Sequence, residues 1–349
     1  MSDNNSNGKS SVWLASTDTD YARLGLDRTE IKQWEDGMRV NPAIGNFEWW
    51  YFDAHLDDGS TLVVGFYTKP PLGLEMALLP VVTINLTLKD GRVFDKKLPL
   101  SPEAFSASKD HCDVRIGDNR FTGNLHQYSI NAVIDDISVQ LQLEGEVPTW
   151  RPHTGISFFE KDGEERYFAW FPSVPQGKVK VFYSIGDEKF ETTGTGYHDH
   201  NWGDAPIGKL IQNWYWARAK VGPYTIIDCY ITATEKYGKQ AVTNFLIADG
   251  DNIIIDDERN VRFEADRITK DEQTGIDIAG ITRYIYKDDK QHYIVTYDIK
   301  DIILREKMEE GFPGYYLRFS GNVSVEKLEN DKVVDRQDSP ALWELMYYL

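Results

Sequence analysis

Cysteine is scarce: Cys112 and Cys229 are the only two in 349 residues. They fall in different halves of the chain, which excludes a disulfide framework. Basic charge is short as well. Lys and Arg number 38 against 56 Asp and Glu, a formal net charge of −18. A phosphate backbone or an anionic membrane meets repulsion over most of such a surface, so no nucleic-acid partner is expected. The acidity reads as solubility rather than as recognition of a partner. No run approaches the ~18 consecutive apolar residues of a membrane span, so no transmembrane segment is expected. The Asn/Ser-rich stretch Met1 to Ser11 contains no apolar core of the kind a secretory signal needs. A cytoplasmic location follows as the expectation. Also missing are a phosphate-cradling Gly loop, a dinucleotide fingerprint, a Gly-x-Ser-x-Gly elbow and a Cys-x-x-Cys pair. Their absence argues against a nucleotide cofactor and against hydrolysis by a serine nucleophile.

What is abundant is aromatic. Trp numbers 10 and Tyr 19, with 13% aromatic and 41% hydrophobic residues, enough for two cores of ordinary size. Such a balance favours strands and aromatic-lined pockets over helical bundles. Residues 1–40 read as an arm, disordered at its polar start, with one short helix expected over Asp27 to Trp34. From Asn46 the rhythm becomes that of hairpins. Phe47 to Leu56 meets Asp57-Asp58-Gly59-Ser60 and resumes at Thr61 to Thr68. Tyr128 to Ile134 turns at Asp135-Asp136 into Ser138 to Leu143. Asn213 to Lys220 turns at Val221-Gly222-Pro223 into Tyr224 to Thr234. Glu306 to Glu310 reads as one turn of helix. Short strands with turns every 8–12 residues predict an all-β chain of antiparallel barrels or sandwiches with few short helices. The boundary is expected near Glu191 to Gly196, giving domains 41–195 and 196–349. Closed barrels of about eight strands hold one small ligand, and tandem domains leave a cleft between them.

Three constellations carry chemistry. In Phe47-Glu48-Trp49-Trp50-Tyr51-Phe52-Asp53-Ala54-His55, strand alternation puts Glu48, Trp50 and Phe52 on one face and Trp49, Tyr51, Asp53 and His55 on the other. A carboxyl beside rings is costly to bury unless hydrogen-bonded or protonated. The run reads either as a pocket wall with a raised-pKa acid or as a carboxylate tying down a loop backbone. In Tyr197-His198-Asp199-His200-Asn201-Trp202-Gly203-Asp204, His198, His200 and Trp202 share a side. That run reads as an active site, as a structural knot of His and Asp, or as two metal ligands at strand spacing. In the third, Tyr224, Ile226, Asp228 and Tyr230 share a face near Trp214-Tyr215-Trp216-Ala217-Arg218. Asp228 among such side chains is the kind of acid that stays neutral near pH 7 and can protonate an alkene. The alternative is a structural ion pair with Arg218.

Four segments together resemble a known family: Glu48-Trp49-Trp50-Tyr51-Phe52-Asp53, Tyr197-His198-Asp199-His200-Asn201-Trp202-Gly203, Trp214-x-Trp216, and the ending Ala341-Leu342-Trp343-Glu344-Leu345-Met346. It is the two-domain lipocalin-like family typified by carotenoid 1,2-hydratase (hydroxyneurosporene synthase). Kievitone hydratase and the fungal decalin-forming Diels-Alderases are also members. The resemblance covers residues 40–349. It implies two tandem lipocalin-like domains, a pocket near their junction, and neither metal nor organic cofactor. The family's His-x-Trp pair is matched by His200 and Trp202. Asp228 matches the acid of its Tyr-x-Asp pair, but Ile226 stands at the Tyr position, with Tyr224 and Tyr230 on the same face.

The expected function is a cofactor-independent enzyme acting on C=C bonds of a hydrophobic small molecule, a polyene, isoprenoid or polyketide. The reaction would be acid-catalysed hydration or cationic rearrangement. Asp228 would donate the proton, and His200 would orient it or position water. Trp202, Trp214 and Trp216 would line the pocket. Trp50, His198, Tyr224 and Tyr230 are further candidates for substrate contact, with Glu48 and Asp53 as reserve acids. The alternatives are an intramolecular [4+2] cyclase, which needs contour more than an acid, and a non-catalytic carrier.

Overall fold

The computed structural model describes residues 10–70, 76–308 and 313–349. The chain divides into two compact units, Met1–Leu210 and Ile211–Leu349, each built on one antiparallel sheet. The expected crossing at 191–196 lies inside a continuous strand, Glu188–Gly203, which pairs along its length with Glu164–Ile185. No side chain fits at Gly194 within it, because a Cβ there would stand 2.2 Å from the His55 carbonyl oxygen of the adjacent strand.

In the first unit the main path of the sheet runs in the order Val93–Pro99, Val81–Thr87, Thr61–Tyr67, Phe47–Leu56, Glu188–Gly203, Glu164–Ile185, Ile137–Gly145, Gln127–Ile134, Asn119–Gly123, Asp113–Ile116 and Phe105–Ala107. The sheet curls until Val81–Thr87 meets Gln127–Ile134. Its inner face then encloses one core of alternating residues such as Trp50, Phe52, Val64, Ile84, Ile130 and Val181. The second unit orders its strands Asn252–Ile255, Ala241–Asp249, Tyr224–Ala233, Ile211–Val221, Lys332–Tyr348, Gly314–Glu329, His292–Met308, Asp277–Lys287 and Val261–Lys270. It curls likewise, bringing Phe263 onto Tyr230 at 3.8 Å between ring centroids. The all-β, lipocalin-like architecture read from the strand rhythm and the family resemblance is what the chain adopts.

Two local expectations are corrected. The helix lies at Asp18–Leu24 rather than over 27–34. Thr17 caps it in a box with Asp20, and Gly25 at φ 68° ends it. Asp27 instead closes a side-chain turn, its Oδ1 accepting from the Thr29 and Glu30 amides. A short 3₁₀ turn follows at Gln33–Asp36. Residues 306–308, expected to be helical, continue the strand His292–Met308, and 309–310 lie outside the described residues, as does the polar start through residue 9. The remainder of the expected arm is part of the first unit: Ser10–Leu14 pairs with Ile156–Lys161. Among the described residues no helix is long and apolar enough to cross a membrane.

Candidate functional site

Period-2 alternation puts Glu48, Trp50 and Phe52 on the inner face of Phe47–Leu56, and His198, His200 and Trp202 on the inner face of Glu188–Gly203. Antiparallel pairing then sets His198 opposite Phe52, His200 opposite Trp50 and Trp202 opposite Glu48. His200 is fully buried, its ring stacked on Trp50 at 4.6 Å with Trp202 4.7 Å away. Its Nε2 faces Glu48 Oε1 at 2.8 Å. Glu48 also accepts from the Arg39 amide at 2.6 Å and the Val40 amide at 3.2 Å. Glu48 therefore ties down a loop backbone as well as holding His200.

A residue without any local signal completes this cluster. Asp36, from the 3₁₀ turn, faces His198 Nε2 at 3.2 Å through Oδ2 and His200 Nδ1 at 3.5 Å through Oδ1. The Tyr128 hydroxyl donates to the same Oδ2. His198 Nδ1 faces the Tyr51 carbonyl at 2.8 Å. Both nitrogens of His198 thus face oxygen atoms, the Tyr51 carbonyl on one side and the Asp36 carboxylate on the other. Burial alone would raise the Asp36 carboxyl; His198, His200 and Tyr128 overcome it and hold the group below its usual value. Donor atoms of Asp36, Cys112 and His198 lie within 4.8 Å of one another and are the residues that would hold a metal ion. Burial keeps the Cys112 thiol well above its ordinary range, however, which makes it a poor ligand.

Beyond Trp202 lies a cleft of about 470 Å³ in the first unit, walled by Trp34, Ile156, Phe158, Tyr167, Phe171 and Trp202. Charged groups at its margin include Glu35 and Arg151, 116 residues apart in sequence, which form a buried ion pair. Burial pushes the Glu35 carboxyl up against the opposing Arg151 guanidinium. Of the three residues expected to act chemically, Trp202 reaches this cleft and His200 sits behind it.

Asp228 belongs to the second unit, 1% exposed. It shares the inner face with Tyr224, Ile226 and Tyr230, as alternation predicts, and the Tyr297 hydroxyl donates to its Oδ2 at 2.7 Å. Burial pushes the carboxyl up to about 7, and the Tyr297 and Tyr284 hydroxyls act against that rise. Pairing sets Asp228 opposite Ala217, so Arg218 points to the other face and is not its ion-pair partner. The same register corrects the expected role of Trp214 and Trp216. They stand opposite Ile231 and Cys229 on the outer face, where the Trp214 indole N–H donates to Glu344 at 3.3 Å. They do not shield a charge forming at Asp228. Asp53 also lies on an outer face, that of the first sheet, opposite Tyr197. That face also carries Asp199, the acid within the Tyr197-His198-Asp199-His200 run. Asp199 accepts from Trp170 and Tyr197, each at 2.8 Å, and from Asn201 at 2.7 Å, and burial raises it to about 6.

Two curled antiparallel sheets, one bearing an aromatic cleft and the other a buried acid, define a lipocalin-like fold. Residues 39–290 match the Diels-Alderase-like family, and the chain belongs to it. It is similar to the quinolone epoxide rearrangement protein asqO of Emericella nidulans, 26% identical over 247 residues, 65% of each chain. It is also similar to an acyclic carotenoid 1,2-hydratase of Thiocapsa roseopersicina, 23% identical over 223 residues, 60% of this chain and 52% of that protein. The matched stretch spans less than two thirds of either curated relative. Among solved structures, kievitone hydratase from Nectria haematococca superposes with a TM-score of 0.56 at 12% identity, covering 92% of this chain and 94% of that one. That likeness bears on the fold.

Proposed function

We propose that the chain is a cofactor-independent enzyme acting on C=C bonds, or the epoxides made from them, in a lipophilic polyene, isoprenoid or polyketide. The reaction is acid-catalysed hydration or cationic rearrangement. The observation that carries this reading is Asp228, a carboxyl enclosed by rings and acted on by phenols rather than by a cation. Such a group is substantially protonated at neutral pH and transfers its proton to an alkene carbon or an epoxide oxygen. The Tyr297 and Tyr284 hydroxyls, which act on the Asp228 carboxyl, then stabilise the carboxylate left behind. Water or a neighbouring carbon closes the reaction, and the proton lost returns to the Asp228 carboxylate.

The test has two parts. Infrared difference spectra between about pH 5 and about pH 9 should show a carboxyl band missing from Asp228→Asn. That variant should also lose turnover of an acyclic carotenoid or a quinolone epoxide while its circular dichroism is unchanged. A wild-type protein without the band, or an Asn variant with full turnover, overturns the reading. The cleft favours a second reading, an intramolecular [4+2] cyclase that works by contour. In that case Asp228→Asn dents the rate, whereas Trp202→Ala alters the stereochemistry of the product.

A further inference from the structure

We propose that the cleft of the first unit binds an amphipathic ligand whose acidic head, a carboxylate or an acidic enol, docks on Arg39. The inference rests on the cleft being a ligand site and does not require Asp228 to be a proton donor. The cleft is lined by three guanidiniums, Arg23, Arg39 and Arg151, and three carboxyls, Glu35, Glu165 and Asp204. The carboxyls are engaged. Glu35 pairs with Arg151, and Glu165 with Arg23 at 3.0 Å. Asp204 accepts from the Tyr167 amide at 2.9 Å and lies 3.8 Å from Arg166.

Arg39 differs from the other two cations. Its Nε donates to the Gly37 carbonyl at 2.8 Å and its Nη2 to the Lys109 carbonyl, while its guanidinium lies 4.8 Å over the Trp34 ring. Among the described residues no carboxylate stands within ion-pairing distance of it. Glu48, Glu35, Asp36 and Asp110 act on it only from farther off. Two of its five N–H donors are therefore spent on carbonyls, which do not neutralise it, and the others remain in a fork suited to two oxygens. Burial partly strips water from this cation, which an incoming anion compensates.

The position is rigid. The Arg39 amide is bound by Glu48, which is held by His200, which stacks on Trp50 and meets the Trp202 ring at a tilt. The head-group cation and the aromatic wall are thus fixed by one buried chain of contacts. The remainder of a protein of net charge −18 repels anions, so this one cation decides whether an acidic head is accepted. The apolar wall of Phe158, Phe171 and Trp202 takes the ligand's body.

The probe pair is all-trans retinoic acid and its methyl ester, followed by quenching of tryptophan fluorescence in the full chain. A charge-assisted hydrogen bond lost from a partly dry site corresponds to roughly a 10- to 100-fold change in Kd. The acid should bind tighter than the ester by that factor. The preference should vanish in Arg39→Gln, return in part in Arg39→Lys, and persist in Asp228→Asn. Should Arg39→Gln fail to fold, added salt serves in its place, weakening acid binding and sparing the ester. Equal binding of acid and ester, binding of neither, a preference that survives Arg39→Gln, or its loss in Asp228→Asn overturns the proposal. The infrared band of Asp228 stands or falls independently of all four.

Discussion

Removing Asp36 should unfold the first unit far more readily than its single carboxyl suggests. In Asp36→Ala the fully buried His198 loses the acceptor 3.2 Å from its Nε2, and the Tyr128 hydroxyl loses the same oxygen. His200 keeps Glu48 but loses the second carboxylate at 3.5 Å. No water reaches these atoms, since Asp36, His198 and His200 are at most 1% exposed. Leaving a buried hydrogen-bonding group without its partner costs about 1–3 kcal/mol, so the loss at His198 and Tyr128 together amounts to about 3–5 kcal/mol. For a unit of this size that lowers Tm by roughly 6–20 °C. The control is Glu165→Ala, which removes an ion pair with Arg23 whose side chains are 38% and 43% exposed; its cost should stay within about 1 kcal/mol. Thermal melts by near-ultraviolet circular dichroism report directly, because the Trp50 indole N–H donates to the Asp36 carbonyl at 3.1 Å. The pH dependence has a definite sign. Asp36 is held below its usual value, so its contribution is present above the unfolded value of about 4 and fades as pH falls through the folded one. The gap between wild type and Asp36→Ala should therefore close on the acid side. A variant melting within about 3 °C of wild type at neutral pH would refute the idea that the His pair is held by this carboxylate.

Asp228 has the opposite sign. Its folded value of about 7 exceeds the unfolded value of about 4, so the native state holds the extra proton between them and stability falls as pH rises through that window. Melts of Asp228→Asn against wild type should diverge in the variant's favour from about pH 5 to about pH 8; parallel curves would exclude a raised carboxyl. Cys112 and Cys229 are buried and outside any disulfide, so iodoacetamide should label neither in native buffer and both in denaturant, as read by mass spectrometry. Fast native labelling of Cys112 would contradict a thiol held well above its usual range.

Groupings that depend on period 2 are legible from the residues alone. The alternation in Phe47–Leu56 assigns Glu48, Trp50 and Phe52 to one face, that in Glu188–Gly203 assigns His198, His200 and Trp202 to another, and that in Tyr224–Ala233 gathers Tyr224, Ile226, Asp228 and Tyr230. Backbone geometry enforces these groupings whatever the rest of the chain does. The architecture and the family were legible for the same reason, from strands, turns and four motifs. What each face meets depends on how distant segments fold together. Asp36 reaches His198 across 162 residues of sequence and Tyr128 across 92, and no local pattern marks an acid in a short turn as their partner. Glu35 and Arg151 were invisible as a pair for the same reason. The register that sets Asp228 opposite Ala217, and so turns Trp214 and Trp216 away from it, is a cross-strand property. Shifting that pairing by one residue would exchange the faces without changing a single letter of either strand. Side-chain direction is written locally, whereas contact is settled by which strands pair and in what register.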